Sequence, residues 1–259
     1  MAPGELSLLL SASAPIDLTR VAFPRITRVA VLGPHPDDLD AIAVTMRLFR
    51  DCGCRIDLAI VTDGASGVED GYLGATTAAE RGAIRVKEQQ ASLRFFRLPD
   101  DQTAFLHLEE DYEGHPIAGG RNLERISEFL ARSRPDAVFL PHGNDTNPGH
   151  RRTYEMFRMY IEQSTMPAVA FLIKDPKTIG IRVDCYTGYS EDTARWKSAM
   201  LLHHQSQHAR NLRTRQHGFD ERILRVNRQA AAELGLKLPF AEAFQLQWFE
   251  DGRLLPGRP

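Results

Sequence analysis

Short apolar runs that stop abruptly constrain this chain most. Arg28-Val-Ala-Val-Leu32 ends in Gly33-Pro34, Ile56–Thr62 ends in Asp63-Gly64, and Ala137-Val-Phe-Leu140 ends at Pro141. Each is short for a helix, right for a buried strand, and closed by residues that break regular structure. Between them lie stretches that read as helices, Leu39–Phe49, Ala78–Phe96 and Leu123–Ser133. Asp37 and Asp38 open the first of these, where carboxylates oppose the helix dipole. Further helices are expected from His150 to about Gln163, over Ser190–Gln207 and over Thr214–Leu234. Further strands are expected at Phe105–Leu108, Ala168–Lys174, Ile179–Tyr186 and Ala241–Phe249. Strands alternating with helices predict an α/β fold with a mainly parallel central sheet. No repeat, low-complexity tract or linker divides the chain, so one domain over residues 1–259 is expected, with residues 1–25 as an N-terminal arm.

Charge and cysteine usage narrow the function. Lys and Arg number 32 against 34 Asp and Glu, a net charge of -2. That argues against a nucleic-acid partner held by a global positive field, and against an acidic disordered chain. Three cysteines make no disulfide framework, and Cys52 and Cys54 read as small packing residues. No apolar run approaches the ~18–20 residues that span a bilayer, so no integral membrane segment is expected. Leu6–Ala14 has the look of a secretory leader. However, Glu5 and no Lys or Arg precede it, and Pro15 follows the cut. A cytoplasmic protein is therefore expected.

In sheets of this kind, ligands sit at the carboxyl ends of the strands. Three such ends are unusually polar: Pro34–Asp38, Thr62–Gly64 and Pro141–His150. The sharpest is Pro34-His35-Pro36-Asp37-Asp38. An imidazole and a carboxylate three residues apart at a strand-to-helix turn can face one point, and this donor pair suits zinc. The flanking prolines leave little chain entropy to lose on binding metal. Adjacent carboxylates cannot easily share one ion, so Asp38 reads as ligand and Asp37 as base. A catalytic zinc usually takes a third protein ligand. His150 is the better candidate, opening a helix beyond the third apolar run, and His142 in the same loop is its competitor. No Gly-x-Gly-x-x-Gly follows the first strand, which argues against a nucleotide-binding Rossmann protein.

These residues resemble the PIG-L/LmbE-like family of zinc-dependent N-acetylglucosamine de-N-acetylases. Pro34-His-Pro-Asp-Asp38 is similar to the family's first motif, Val61-Thr-Asp-Gly64 to its second strand ending, and Arg85-x-x-Glu88 to the helix that follows. Asn144-Asp-Thr-Asn-Pro-Gly-His150-Arg-x-Thr153 resembles its Asp-x-His-Pro-Asp-His-Arg loop. Lys197, His204-x-Ser206-Gln207 and Ala241-Glu-x-Phe244 resemble late motifs, so the likeness runs from about residue 28 to 249. It implies a Rossmann-like three-layer fold and removal of an N-acetyl group from an N-acetylglucosamine conjugate. It implies His35, Asp38 and His150 as zinc ligands and Asp37 as general base. Arg85 and Glu88 would hold neighbouring side chains or substrate, and Asp63, beside the loop Gly64–Thr77, is a further candidate substrate contact. Fe²⁺ can occupy such donors nearly as well. The sequence departs from the family where Asn147 replaces a histidine and Gly149 an aspartate, and where Asp40-Ala-Ile-Ala-Val44 fills a stretch in which glycines are common.

The chemistry expected is attack of zinc-activated water on the acetamide, with Asp37 taking the proton. Asp37, His142 or His204 would protonate the leaving amine, Asp145 being a further donor. The loops Gly64–Thr77 and Asp100–Gly120 are candidate sugar contacts and lid. Arg210–Arg228 carries six arginines and reads as a solvated helix face. An anionic substrate group, or a subunit contact in a homo-oligomer, is its alternative use. A small amino sugar is the expected partner. Two rivals remain: an amidase releasing a larger acyl group from an amino sugar, and a non-catalytic zinc- or sugar-binding relative.

Overall fold

The computed structural model describes residues 14–23 and 27–255. Within them, β1 (Ile16–Asp17), β2 (Arg28–Gly33), β3 (Arg55–Ile60), β4 (Thr103–Phe105), β5 (Ala137–Pro141), β6 (Ala168–Ile173), β7 (Cys185–Tyr189), β8 (Phe240–Glu250) and β9 (Arg253–Leu254) form one sheet. The helices are α1 (Asp38–Ala41), α2 (Ala43–Asp51), α3 (Ala78–Phe96), α4 (Gly120–Ser133), α5 (Pro148–Ile161), α6 (Glu191–Leu201), α7 (Gln205–Arg215) and α8 (Phe219–Glu233). Strand order is β1-β7-β8-β6-β5-β2-β3-β4, with β9 on β8. The pairs β1–β7, β2–β3, β2–β5, β3–β4 and β5–β6 are parallel, and only β8 runs against its neighbours. The sheet is therefore mostly parallel, as the alternation of elements predicts.

Period-2 alternation splits the strand residues between two helix layers. On one face Val29, Val31, Phe139 and Phe171 pack with Phe49 of α2, Leu93 and Phe96 of α3 and Met200 of α6. On the other, Ala30, Leu32, Val138, Leu140 and Leu172 pack with Ile126 and Phe129 of α4 and Met156 and Phe157 of α5. β2 lies between β3 and β5. The chain leaves β2 toward β3 and β4, then returns to its other side as β5. The crevice beyond the carboxyl ends of β2 and β5 is thus the switch point at which such sheets bind ligands.

The helix expected over Leu39–Phe49 is two helices, and a buried ion pair explains the break. Lys197 Nζ lies 2.6 Å from Glu242 Oε1, with side chains 0% and 1% exposed. Lys197 donates to the Ala41 carbonyl at 2.6 Å, while Glu242 accepts from the Val44 and Thr45 amides at 3.0 and 2.7 Å. The pair thereby satisfies groups that a continuous helix would have bonded internally, and Ile42 leaves helical geometry at φ −119°. Losing one partner of such a pair strands a buried charge, at a cost of about 3–5 kcal/mol. Glu242→Gln is expected to lower the urea unfolding free energy by that amount. A change below about 1 kcal/mol would show that the break does not depend on the pair.

Other expectations shift for equally local reasons. Ser190–Gln207 divides at Leu202–His204, and Thr214–Leu234 begins only at Phe219, because Gln216 turns left-handed at φ 57°. The strand expected over Ile179–Tyr186 starts at Cys185. The residues before it fold instead over the loop after β5, where Ile179 N donates to Asn144 O at 2.8 Å and Asp145 bridges Thr178. Part of the expected arm is structured: Ile16–Asp17 pairs with β7, and Leu18 and Phe23 are buried. The leader-like run lies, except for Ala14, outside the described residues, as do residues 24–26. No helix among the described residues is long and apolar enough to cross a membrane.

Candidate metal centre

The turn after β2 is tightly held. The His35 amide donates to Asp38 Oδ2 at 2.7 Å, so Asp38 closes the turn on itself. Asp37 takes φ 108°, a region in which a side chain is strained by about 1–3 kcal/mol. Two α3 residues hold it there. Gln89 Oε1 accepts from the Asp37 amide at 2.6 Å, and Arg85 donates to Asp37 Oδ2 at 3.0 Å and to the Pro36 carbonyl. Asp37 Oδ1 takes no hydrogen bond from a described residue.

The third expected ligand comes from the other side of the switch point. Asn147 caps α5, its side chain accepting from Gly149 N at 2.9 Å, and Pro148 follows as the first helical residue. This presents His150 in the first turn, 2% exposed. Its Nδ1 lies 3.0 Å from Asp145 Oδ2. A carboxylate can only accept, so Nδ1 carries a proton, and in the neutral ring the lone pair is on Nε2. That Nε2 is buried without a hydrogen-bond partner and lies 3.8 Å from Asp38 Oδ1. His35 Nδ1 lies 3.6 Å from Asp38 Oδ2. His35, Asp38 and His150 thus offer ligand atoms all within 4.8 Å of one another. Two imidazoles, one carboxylate and an orphaned buried nitrogen fit a divalent transition metal.

The grouped residues shift one another's protonation in opposite directions. Burial pushes the His35 imidazole below its ordinary value, against the hydrogen bond to Asp38. Burial would raise the Asp38 carboxyl, but the His35 hydrogen bond and the neighbouring imidazoles outweigh it and hold Asp38 well below the usual range. Burial likewise opposes charging His150, and Asp145, Asp38 and Asp175 outweigh it upward. Asp175 itself is pushed up by burial.

Glycine at 149 brings α5 close to the first motif. An added Cβ would meet His35 Nε2 at 3.2 Å, tighter than ordinary contact. Where the related pattern has an aspartate, this chain places a glycine against the His35 ring. The carboxylate nearest the His150 Nδ1 comes from further back in the loop, Asp145 at 3.0 Å.

Not every expected site residue reaches the cavity over this group. The cavity holds about 710 Å³ and is lined by His35, Asp37, Asp38 and Arg85, among others. Asp63 is absent from its lining: it accepts from His107 at 2.7 Å and packs against Gly82. Glu88 binds the Ser206 amide and hydroxyl, both at 2.6 Å, and ties α3 to α7. His142 receives the Asn144 amide on Nδ1 at 2.8 Å and lies 3.2 Å from Gln245 through Nε2. His204 is fully buried, 3.1 Å from Asp40, which also accepts from Gln89 and Ser92. Neither histidine lines the cavity. Within the candidate sugar-contact loop Gly64–Thr77, Glu69 and Asp70 pair with Arg213 and Arg81.

Sequence reasoning missed three residues that matter to the geometry. Gln89 fixes the Asp37 backbone, one position beyond the Arg85-x-x-Glu88 pattern. Asp40 anchors the floor beneath it. Asp175, just past β6, comes within 3.8 Å of His150 Nδ1 and lines the cavity. The polar run Lys174-Asp-Pro-Lys177 was a fourth strand ending, and only the strand order places it beside β5.

The sequence matches the PIG-L family, described as GlcNAc-PI de-N-acetylase, over residues 30–161. No curated protein matches it. Among solved structures it is similar to N,N'-diacetylchitobiose deacetylase from Pyrococcus horikoshii, with TM-score 0.68, 19% identity and coverage of 84% of this chain and 82% of that one. It is also similar to a zinc-inhibited form of teicoplanin deacetylase Orf2, with TM-score 0.63, 15% identity and coverage of 87% and 100%. A third similar structure is GalB, the 4-carboxy-2-hydroxymuconate hydratase of Pseudomonas putida KT2440, with TM-score 0.62, 19% identity and coverage of 85% and 96%. At these identities the likeness is one of fold.

Proposed function

The chain belongs to the PIG-L family, GlcNAc-PI de-N-acetylase, and from that premise we propose that it is a zinc-dependent hydrolase that removes an N-acetyl group from an N-acetylglucosamine conjugate. One fold serves many reactions, a hydratase among its neighbours, so the site must carry the argument. The observation that carries it is a juxtaposition. His35, Asp38 and His150 converge within 4.8 Å, and Asp37 beside them has one carboxylate oxygen fixed by Arg85 and the other free. A divalent ion held by the three ligands supplies Lewis acidity toward water and toward an amide carbonyl. Zinc suits these donors, and Fe²⁺ is the alternative.

The remaining work falls to the chain's own residues. Asp37 Oδ1 accepts a proton from the attacking water as the new C–O bond forms. Arg85 keeps the carboxylate from rotating away, and Gln89 holds its backbone. The C–N bond then breaks, and the nitrogen must be protonated because an amide anion is a very poor leaving group. Asp37 returns the proton it took, giving acetic acid and a primary amine, between which the acid's proton then passes. This route needs neither His142 nor His204, whose ring nitrogens face Gln245, Asn144 and Asp40.

Asp145 acts through His150. A carboxylate behind a ligating imidazole fixes its tautomer and raises its basicity, and its loss typically costs 10–100-fold in metal affinity. Asp145→Asn is expected to weaken zinc binding by about that factor in competition with a chromophoric chelator. Unchanged affinity would remove Asp145 from the metal's support.

The size of the cavity favours one second reading. At about 710 Å³ it falls inside the ~300–1,000 Å³ range of small-molecule sites and leaves room beyond a sugar and an acetyl group. An amidase releasing a larger acyl group would use the same residues. Identifying the acid released from N-acetyl, N-butyryl and N-benzoyl glucosaminides separates the two. Acetate released fastest supports the deacetylase, and preference for the larger acyl groups overturns it.

A further inference from the structure

The run Arg210–Arg228, expected as a solvated helix face, divides into two sets. Arg213 pairs with Glu69, Arg225 pairs with Glu221, and Arg228 lies over the Phe240 ring at 4.8 Å. Arg210, Arg215 and Arg222 instead line the cavity above His35, Asp37 and Asp38. Lys177, from the loop after β6, joins them there.

The acidic groups of that cavity are committed elsewhere. Asp37 pairs with Arg85, Asp38 and Asp175 face the imidazoles of the metal group, and Glu113 lies 4.0 Å from His115. Among the described residues, no carboxylate lies within ion-pair distance of Arg210, Arg215, Arg222 or Lys177. Arg210 donates only to the Gly67 carbonyl, at 3.1 Å. Arg222 is half-buried, and its guanidinium makes no hydrogen bond to a described residue. Burial pushes that guanidinium below its usual value and the charges of Arg215 and Arg210 push it further, while Asp175 and Asp37 pull it back. A partly desolvated cation with no partner is costly, and like charges gathered in a cleft concentrate an anion. The guanidinium fork matches the geometry of carboxylate and phosphate.

We propose that Arg222, flanked by Arg210 and Arg215, seats an anionic group of the substrate, a phosphate or a carboxylate carried on the same molecule as the acylated amine. The inference rests on the reading of this cavity as an amino-sugar site, and it narrows the substrates of that site to acidic conjugates. The metal group would meet the amide while the arginine wall holds the acidic end.

Binding of unreactive amines tests this without turnover. The probes are glucosamine 1-phosphate, carboxymethyl glucosaminide and the neutral methyl glucosaminide, titrated calorimetrically into zinc-loaded protein at low salt. At least one acidic probe is expected to bind about tenfold or more tightly than the methyl glycoside, and the tighter of the two acidic probes identifies the group. Arg222→Gln is expected to cost that probe about 10–100-fold and to leave the neutral one unchanged. The pair R210Q/R215Q, at exposed positions that do not threaten folding, should lower it in the same sense. Arg225→Gln, on the outer face of α8, should change nothing. Equal binding of all three probes overturns the inference, as does a gap that survives both sets of substitutions. Amine release from the acetylated counterparts is scored separately. A gap that depends on Arg222 with no release would overturn the deacetylase reading and leave the anion seat standing. Release without a gap would do the reverse.

Discussion

Asp37→Asn is expected to leave the bound metal in place and to lower amine release at least ~100-fold, the usual scale for a group that moves a proton in the transition state. The substitution keeps size and shape. Arg85 can still donate to the amide oxygen, and the Gln89 bond to the residue 37 amide is a backbone contact that survives. What disappears is basicity: an amide cannot take a proton from water or return one to the leaving nitrogen. The metal should remain, because residue 37 is not among the converging ligand atoms. Binding of the unreactive amine probes should therefore persist while turnover collapses. Unchanged turnover would place the base elsewhere, and lost metal would make Asp37 a ligand.

His150→Ala carries the second large effect: bound zinc and activity should both fall to background. His150 is the one ligand delivered from beyond β5, so its removal leaves two donors on a single turn, where three protein ligands are the usual number for a catalytic site. The change also leaves Asp145 and Asp175 facing an empty space, and some loss of stability is expected with it. Metal content per folded chain is therefore the readout, measured alongside His35→Ala, which deletes the ligand from the β2 side. Full zinc occupancy in both variants would sink the ligand assignment. Loss in His35→Ala alone would shift the third ligand to a residue other than His150.

Much of this arrangement was legible in the residues because it is local. β2, α3 and β5 follow from runs of one periodicity, the strands closed by Gly or Pro. His35, Asp37 and Asp38 declare themselves because prolines and carboxylates crowd a strand ending. What was not legible depends on contacts distant in sequence. The break at Ile42 is made by Lys197 and Glu242, more than 150 residues away, and no window around α1 contains them. Asp175 joins His150 only because β6 lies beside β5. The same holds for the arginines: helical spacing shows that they share an element, but which of them turn toward the cavity depends on how α7 and α8 pack. His204 lies fully buried against Asp40, a contact that no window around either residue contains.

The most direct test of the central claim is a metal titration. Metal-free protein is supplied with increasing zinc, and primary-amine release from an N-acetylglucosamine conjugate bearing an acidic group is followed with occupancy. Release should be absent at the start, rise in proportion to bound zinc, and level off near one equivalent per chain, with the Asp37→Asn protein flat throughout. Undiminished release from the metal-free protein would contradict the account, as would a fully loaded protein that releases no amine from a broad panel of such conjugates.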